Sequence, residues 1–324
     1  MSSTNASAPL LSIEHLSTWY PIRRGIFART VGHVKAVNDV SLTIGEGETL
    51  GLVGESGCGK TTLGRTVIGL EQAHAGSVRF RGQELVGPGG MVPSVRRHIQ
   101  MVFQDPAAAL NPRMTVSQIL TEGMAAHGLL EGDPDAAALA LLRDVGLEAS
   151  ALHRYPFEFS GGQRQRICVA RALSLRPSLI ICDEAVSALD VSVQAQVINL
   201  LLDLKDMYRL SYLFISHDLS VVKFISDRIA VMYLGHVVEQ GPAAAIMEHP
   251  QHPYTQALIS AVPVPGAERK ARTVLRGELP SPARPPPGCP FHTRCPRVLD
   301  ICRSEFPATR TVGVADVACH LYPR

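Results

Sequence analysis

The sequence predicts an α/β fold with a largely parallel sheet. Short apolar runs alternate with helical patterns over the first two-thirds of the chain, which is typical of strand–helix–strand units. Residues 49–53 predict a buried strand, followed by a glycine-rich turn and a helix at about 60–70. Residues 179–182 and 212–215 predict two more buried strands, and residues 193–208 between them have apolar side chains at helical spacing. This alternation favours the α/β class, with a strand–turn–helix unit at residues 49–70.

Two regions depart from this alternation. Residues 105–175 carry helical patterns and no convincing strand, so we predict a helical subdomain inserted in the α/β core. The core is expected to end soon after residue 241, and residues 252–261 predict one more helix. Six prolines within residues 280–290 predict a linker, because proline fits neither a helix interior nor a central strand. We therefore divide the chain into a core domain, 1–250, and an extension, 251–324, with a small cysteine-containing tail.

The bulk composition excludes some classes of protein. A chain of 324 residues that is 46% hydrophobic can bury a large core. Its formal net charge of +2 is too small to argue for a nucleic-acid partner. No apolar run reaches the roughly 18 residues that span a bilayer, and the first residues lack the pattern of a secretion signal. We therefore expect a cytoplasmic protein whose role at a membrane, if any, is peripheral.

A phosphate-binding loop is predicted directly after the first strand. The segment fits GxxxxGK[ST] between a strand and a helix, which aims backbone N–H groups and a helix N-terminus at one point. Lys60 is expected to neutralise phosphate oxygens, and the Thr61 hydroxyl is expected to bind Mg²⁺. The expected ATP-binding residues of this segment are Gly54, Glu55, Ser56, Gly57, Cys58, Gly59, Lys60, Thr61 and Thr62.

Two carboxylates, Asp183 and Glu184, follow the second buried strand. Packing does not explain this pair, because both charges need partners at the end of a core strand. Asp183 can hold Mg²⁺, and Glu184 can orient and polarise the water that attacks the γ-phosphate. The sequence therefore predicts ATP and Mg²⁺ as ligands and ATP hydrolysis as the reaction.

A second anion site is predicted at Ser160, Gly161, Gly162 and Gln163, where a capping serine and two glycines open an apolar helix. One ATP does not need two such sites in one chain. A head-to-tail dimer does, because each ATP then lies between the loop of one chain and the second site of its partner. We therefore expect these four residues to contact the nucleotide of a facing subunit.

The motifs resemble, in type and order, those of the ATP-binding cassette (ABC) ATPases, which have a P-loop NTPase fold. The resemblance implies further roles. Gln104 matches the Q-loop residue that senses Mg²⁺ and the transmembrane partner, and Asp190 matches the D-loop. His217 matches the switch histidine that contacts the γ-phosphate, and Tyr20 matches the aromatic that stacks on adenine. The expected catalytic residues are thus Glu184, His217 and Gln104, and the expected Mg²⁺ ligands are Thr61, Gln104 and Asp183.

Two positions depart from the family pattern. Phe159 precedes the signature serine where the family usually has leucine, and Ala185 follows the carboxylate pair where proline is common. Both changes spare the charged groups, so an active site is still expected. Ala185 could alter the path of the D-loop and with it the rate of turnover.

Beyond the core, the chain resembles the oligopeptide and dipeptide importer branch, most of all its second ATPase subunit. The resemblance rests on residues 252–258 (HPYTQAL), 294–296 and 318–321, and on Tyr20-Pro21 with a basic insert. It implies peptide import at the cytoplasmic face of the inner membrane. The implied partners are a second related ATPase subunit, two permease subunits and, indirectly, an extracytoplasmic binding protein. Import of nickel chelates or glutathione and a non-transport ABC ATPase are the alternatives.

Four of the seven cysteines lie in the tail, at Cys289, Cys295, Cys302 and Cys319. A metal centre could fold a tail that lacks a core of its own, whereas disulfides are disfavoured in a reducing compartment. The gaps do not fit the usual zinc spacing, and iron–sulfur clusters accept wider gaps. The resemblance points the same way, since peptide-importer ATPases with a similar tail hold a 4Fe-4S cluster. We expect that cluster, with Zn²⁺ or unconnected thiols as alternatives and His320 as a candidate alternative ligand.

Overall fold

The computed structural model describes residues 8–87, 90–261 and 277–322 of the chain. Its strands are β1 (Leu11–Arg24), β2 (Arg29–Ile44), β3 (Thr49–Val53), β4 (Ala75–Phe80), β5 (Gln83–Glu84), β6 (Val86–Gly87), β7 (Gly90–Met91), β8 (Ile99–Val102), β9 (Leu179–Asp183), β10 (Ser211–Ile215), β11 (Arg228–Tyr233), β12 (His236–Pro242), β13 (Thr309–Val312) and β14 (Ala315–Ala318). Its α-helices are α1 (Lys60–Val67), α2 (Pro106–Ala109), α3 (Val116–Ala126), α4 (Pro134–Asp144), α5 (Gly161–Leu173), α6 (Val191–Tyr208), α7 (Leu219–Ile225), α8 (Ala243–Glu248) and α9 (Pro253–Ser260). Short 3-10 turns cover Pro93–His98, Ala149–Ala151, Pro156–Glu158 and Asp300–Arg303.

The largest sheet has eight strands in the order β13-β14-β12-β11-β3-β10-β9-β8. The pairs from β11 to β8 are parallel, while β12, β14 and β13 add in antiparallel fashion. All residues of β3, β9 and β10 are buried, as expected for parallel strands covered on both faces. The predicted α/β class is confirmed, and the carboxyl ends of β3, β9 and β10 lie at one edge.

A second sheet, with the order β2-β1-β4-β5, is antiparallel and was not predicted from the sequence. β1 runs from Leu11 to Arg24 and pairs along its length with β2. Buried side chains of this sheet, such as Ile13 and Val78, share a core with Leu50 of β3 and Leu63 of α1. This sheet and α1 therefore pack together in one hydrophobic core cluster, which is separate from the larger cluster on the other face of the main sheet.

The helices α2 to α5 lie between β8 and β9, and that stretch contains no strand. Thr115 begins α3 with a capping box that it forms with Gln118. Leu120, Leu142 and Ile167 from three of these helices are buried in the same large core cluster. The helical layer is therefore packed against the sheet edge at β8 and β9.

The first helix is shorter than predicted. The sequence suggests a helix at about residues 60–70, but α1 ends at Val67, and Gly69 has a φ of 72°. This left-handed conformation is the usual way in which a glycine ends a helix. Across the described ranges 8–87, 90–261 and 277–322, no helix combines the length and apolar character needed to cross a bilayer.

The cysteine-containing tail packs into the main core and has no separate core among the described residues. β14 pairs with the outer edge of β12 through Glu239 and Val317, so the tail extends the main sheet. Phe291 is 1% exposed and packs edge-on against Tyr233 at 5.2 Å between ring centroids. It also contacts Tyr254 of α9 at 5.4 Å. The free edge of β12 and this aromatic cluster give the tail a place in the main core that local sequence patterns do not reveal.

Candidate active site

The glycine-rich loop after β3 is held closely against its neighbours. Gly54 and Gly59 have φ angles of 154° and 109°. A Cβ at Gly54 would lie 2.1 Å from the carbonyl oxygen of Met232, and one at Gly59 would lie 2.0 Å from that of Ala36. Glycine is therefore required at both positions. The first N–H groups of α1, which have no partners within the helix, remain available for an anion.

Lys60 and Thr61 connect this loop to the end of β9. Lys60 is 4% exposed, and its Nζ donates to the carbonyl oxygens of Gly54 at 2.8 Å and Glu55 at 3.1 Å. The Thr61 hydroxyl donates to Oδ1 of Asp183 at 2.8 Å. Burial raises the pKa of Asp183, and the hydrogen bond from Thr61 opposes that rise. Two of the three expected Mg²⁺ ligands, Thr61 in α1 and Asp183 at the end of β9, are therefore in direct contact.

The three expected catalytic residues meet at one carboxylate. Nε2 of Gln104 donates to Oε2 of Glu184 at 2.9 Å, and Nδ1 of His217 lies 3.3 Å from Oε1. The Glu184 N–H donates to the carbonyl oxygen of Ile215 at 2.9 Å, which fixes this residue to the end of β10. Glu184 has a φ of 46°, an uncommon conformation for a residue with a side chain. This backbone conformation turns the chain at the end of β9, where the carboxylate reaches both partners.

Tyr20 lies beside the first turn of α1. Burial raises the pKa of its phenol, and a hydrogen bond with the Thr62 side chain opposes that rise. Thr62 is the last of the predicted ATP-binding residues, so the tyrosine borders the loop region. This location agrees with a ring placed at the edge of a nucleotide site.

The signature residues form the start of α5. The Ser160 hydroxyl accepts from the N–H of Gln163 at 3.3 Å, and the Gln163 side chain accepts from the Ser160 N–H at 3.0 Å. A Cβ at Gly162 would lie 2.3 Å from Val193 of α6, so the two helices approach closely there. Among the described residues, no hydrogen bond or ion pair joins this site to residues 54–62.

The D-loop region is a compact turn between β9 and α6. The Ser187 hydroxyl and N–H both donate to the carbonyl oxygen of Glu184, at 2.9 Å and 3.1 Å. Asp190 caps α6 by accepting from the N–H of Val193 at 3.0 Å. Ala185 is buried at 3% exposure, so the position where proline is common is filled by a packed methyl group.

Two residues of the extension reach the loop, and sequence reasoning assigned neither of them a role. The Tyr254 hydroxyl accepts from the N–H of Glu55 at 2.9 Å. Arg294 donates to both carboxylate oxygens of Glu55, at 2.6 Å and 3.0 Å. Tyr254 and Arg294 stand in motifs that indicate the importer branch, but nothing in the sequence links them to a loop 199 and 239 residues away.

The four tail cysteines share one region of the extension. Burial raises the pKa of Cys289 to about 12, and the neighbouring thiols of Cys302, Cys319 and Cys295 raise it further. The N–H of Cys289 donates to the carbonyl oxygen of Cys302 at 2.9 Å. Within the described part of the chain, no group of three or more His, Cys, Asp or Glu is arranged to hold a metal ion. The thiols therefore converge, but the expected metal centre gains no support from this arrangement.

His320, the candidate alternative ligand, has a partner of its own. Its Nε2 lies 2.9 Å from the carbonyl oxygen of Glu305. Because Nε2 is used in this contact, His320 could bind a metal only through Nδ1, or after the imidazole ring rotates away from Glu305. The four thiols remain the donor set to be tested.

Two family models match the chain. Residues 37–187 match the ABC transporter model, and residues 238–302 match the C-terminal region of the oligopeptide/dipeptide transporter family. The first match contains the glycine-rich loop, Gln104, the signature and the carboxylate pair. The second contains Tyr254 and Arg294.

Curated relatives are similar over nearly the whole chain. The chain is 52% identical to the oligopeptide transport ATP-binding protein AppF of Bacillus subtilis, over 97% of both chains. It is 49% identical to OppF of Escherichia coli, over 98% of this chain and 97% of the relative. It is also 52% identical to the glutathione import ATP-binding protein GsiA of Shigella boydii, over 84% of this chain but 44% of that one.

Solved structures share the fold. CbiO1 of Clostridium perfringens, part of an ABC transporter complex, matches with a TM-score of 0.64 at 24% identity, over 75% of this chain and 92% of that one. An ATP-binding cassette in a dimeric post-hydrolysis state with ADP and Pi matches with a TM-score of 0.62 at 25% identity, over 72% and 98%. The chain therefore belongs to the ABC transporter ATPases, in the oligopeptide/dipeptide transporter family.

Proposed function

We propose that this ATPase powers the uptake of di- or oligopeptides through an importer, from the cytoplasmic face of the inner membrane. The carboxylate of Glu184, held by Gln104 and His217 beside the Thr61–Asp183 pair, is the observation that carries the hydrolytic role. The peptide assignment is supported by relatives named as oligopeptide transport proteins, and by the matching C-terminal region.

In the proposed mechanism, one set of residues binds the phosphates and Mg²⁺, and another set activates the attacking water. The loop N–H groups and Lys60 bind the phosphates, and Thr61, Asp183 and Gln104 would hold Mg²⁺, which neutralises developing charge when it is bound. Glu184 orients a water for in-line attack on the γ-phosphorus and accepts its proton as the bond to ADP breaks. His217, next to the other oxygen of the same carboxylate, would contact the γ-phosphate.

A facing cassette completes the site. Among the described residues, no hydrogen bond joins residues 160–163 to the glycine-rich loop of the same chain. The N–H groups of Gly161 and Gly162, which lie outside the capping box, and the Ser160 hydroxyl suit a nucleotide held by another subunit. A second, related ATPase subunit is the proposed partner. The dimeric cassette found among the solved structures shows that this fold can assemble in pairs.

The permease is proposed to dock where the helical layer meets the core. A groove of about 500 Å³ lies there, and its lining includes Leu70, Phe103 and Ile119. Leu70 is 60% exposed at this groove, so a docked segment would bury its side chain. Phe103 immediately precedes Gln104, so a segment in this groove would adjoin the catalytic carboxylate. Two permease subunits and, indirectly, a binding protein would complete the importer.

The four tail thiols are proposed to hold an iron–sulfur cluster, with Zn²⁺ as the alternative. The support is the number and type of donors, since Cys289, Cys295, Cys302 and Cys319 are four free cysteines within the extension. Thiolates are the usual ligands of such clusters. The role would be structural or redox-sensing, and no step of ATP hydrolysis passes through it.

Other substrates remain as alternatives to peptides. Import of glutathione is favoured by the similarity to GsiA, although the chain matches less than half of that relative. Import of nickel chelates would use the same ATPase chemistry. A non-transport ABC ATPase would lack the groove partner, and the match to the transporter-specific C-terminal region argues against it.

Replacing the proposed base should separate binding from hydrolysis. Glu184→Gln is expected to lower kcat by about 10²–10⁴-fold, because the attacking water loses its proton acceptor. Its affinity for ATP should be unchanged, whereas Lys60→Ala should weaken ATP binding itself. Exposed Glu248→Gln serves as the matched control. Steady-state kinetics and nucleotide titration check this, and parental turnover by Glu184→Gln would exclude the assigned base.

Replacing Gln104 should uncouple hydrolysis from transport. In vesicles containing the assembled importer, Gln104→Ala is expected to bind ATP normally but to move fewer peptides per ATP hydrolysed, because the groove loses its link to Glu184. Gln83→Ala, an exposed glutamine of β5, is the control. Crosslinks from the permease that reach only residues 277–322 would refute the proposed docking.

Anaerobic purification should test the tail. The proposed cluster predicts a coloured protein with a thiolate-to-iron charge-transfer band and bound iron, and Cys295→Ala should lose both. Cys168→Ala, a buried thiol outside the tail, should keep them. A colourless protein with stoichiometric zinc would overturn the cluster in favour of zinc, and a protein without metal would overturn both.

A further inference from the structure

Glu55 of the glycine-rich loop is held from two directions by the C-terminal extension. The guanidinium of Arg294 donates to both of its carboxylate oxygens, at 2.6 Å and 3.0 Å. The hydroxyl of Tyr254 accepts from its N–H at 2.9 Å. Both the side chain and the backbone donor of this one loop residue are therefore bound by the extension.

These contacts are shielded from water. The side chain of Arg294 is 7% exposed and that of Glu55 is 28% exposed. The hydroxyl of Tyr233 lies 3.5 Å from the same guanidinium, and the ring of Tyr254, fully buried, packs against Tyr233 at 4.6 Å. The hydrogen bonds to Glu55 and Tyr233 raise the pKa of Arg294, so the guanidinium stays charged. A two-point arginine–carboxylate pair in such surroundings fixes geometry as well as charge.

The held residue is part of the phosphate-binding loop. The carbonyl oxygen of Glu55 accepts a hydrogen bond from Nζ of Lys60 at 3.1 Å. The position of Glu55 therefore influences the position of the Lys60 ammonium group. Its carboxylate would repel a triphosphate if it were unpaired, because two anions close together in a partly buried site are poorly screened. Arg294 removes that repulsion and limits the conformations of the loop.

We propose that Arg294 is a positioning residue for ATP binding: with Tyr254, it lets the C-terminal extension brace the loop and neutralise Glu55. The inference rests on the proposed function only in that residues 54–61 bind ATP. It gives the extension, which has no group in the hydrolytic mechanism, a direct part in nucleotide affinity.

The test measures the dissociation constant of a fluorescent ATP analogue with Mg²⁺ for the purified full chain. Arg294→Gln should raise the Kd about tenfold, a typical size for coupling between two parts of one protein. Arg294→Lys should recover part of the loss, because it keeps the charge but not the two-point contact. Arg297→Gln is the matched control: Arg297 lies three residues on, bonds to Gln256 of α9, and should leave the Kd unchanged.

A double-mutant cycle separates bracing from simple loss of stability. Glu55→Gln with Arg294→Gln should bind ATP more tightly than Arg294→Gln alone, because the unpaired carboxylate is gone. At saturating ATP, kcat of Arg294→Gln should stay within about twofold of the parent, since the hydrolytic groups are untouched. Additive effects, or a well-folded Arg294→Gln with parental Kd, would overturn the proposal.

Two further variants keep the outcome decisive. If Arg294→Gln shows no cooperative thermal transition, Tyr254→Phe decides, because it removes only the hydroxyl that holds the Glu55 N–H. A weaker Kd in that variant supports the brace, and a parental Kd contradicts it. Failure of the parent to bind ATP, or parental binding by Lys60→Ala, would instead contradict the proposed function of the loop.

Discussion

The parallel pairing of β3, β10 and β9 determines where chemistry can occur in this chain. These strands are buried throughout and run in one direction, so the segments that follow them emerge at one edge. The loop follows β3, Asp183 ends β9 with Glu184 directly after it, and His217 follows β10. The hydrogen bonds of Thr61 to Asp183, at 2.8 Å, and of Glu184 to Ile215, at 2.9 Å, join the three segments. Loss of this register would separate nucleotide binding from hydrolysis.

The site at the carboxyl ends of β3, β9 and β10 could be predicted from the sequence because the motifs that form it are local. A strand, a glycine pattern and a helix start lie within about a dozen neighbouring residues, and each has a physical reason to be adjacent. The antiparallel sheet was missed because the joined ends of β1 and β2 are mostly exposed or half-buried and give little apolar alternation, and because β1 also pairs with the distant β4. The place of the tail was missed because it depends on the free edge of β12 and on Phe291 reaching Tyr233 and Tyr254.

The candidate site shows the same division. Glu184, Gln104 and His217 follow from motifs and meet as a motif reading expects. The pairing of Arg294 with Glu55 spans 239 residues, and a single arginine leaves no periodic signal by which a sequence could assign it a partner. The cysteines illustrate a third case, since the burial of Cys289, Cys302 and Cys319 in the main core was not predicted. Long-range pairing, rather than local propensity, accounts for each of these differences.

The chain contains one glycine-rich phosphate-binding loop and one signature segment, and among the described residues no hydrogen bond or ion pair joins the two. In the proposed dimer, hydrolysis depends on a second cassette, and the most direct test of that proposal is the specific ATPase activity as a function of protein concentration. The account predicts slow hydrolysis by the dilute chain alone, with specific activity that rises with concentration or when the facing subunit is added. Rapid hydrolysis by the isolated monomer, with a specific activity independent of concentration, would contradict a shared site.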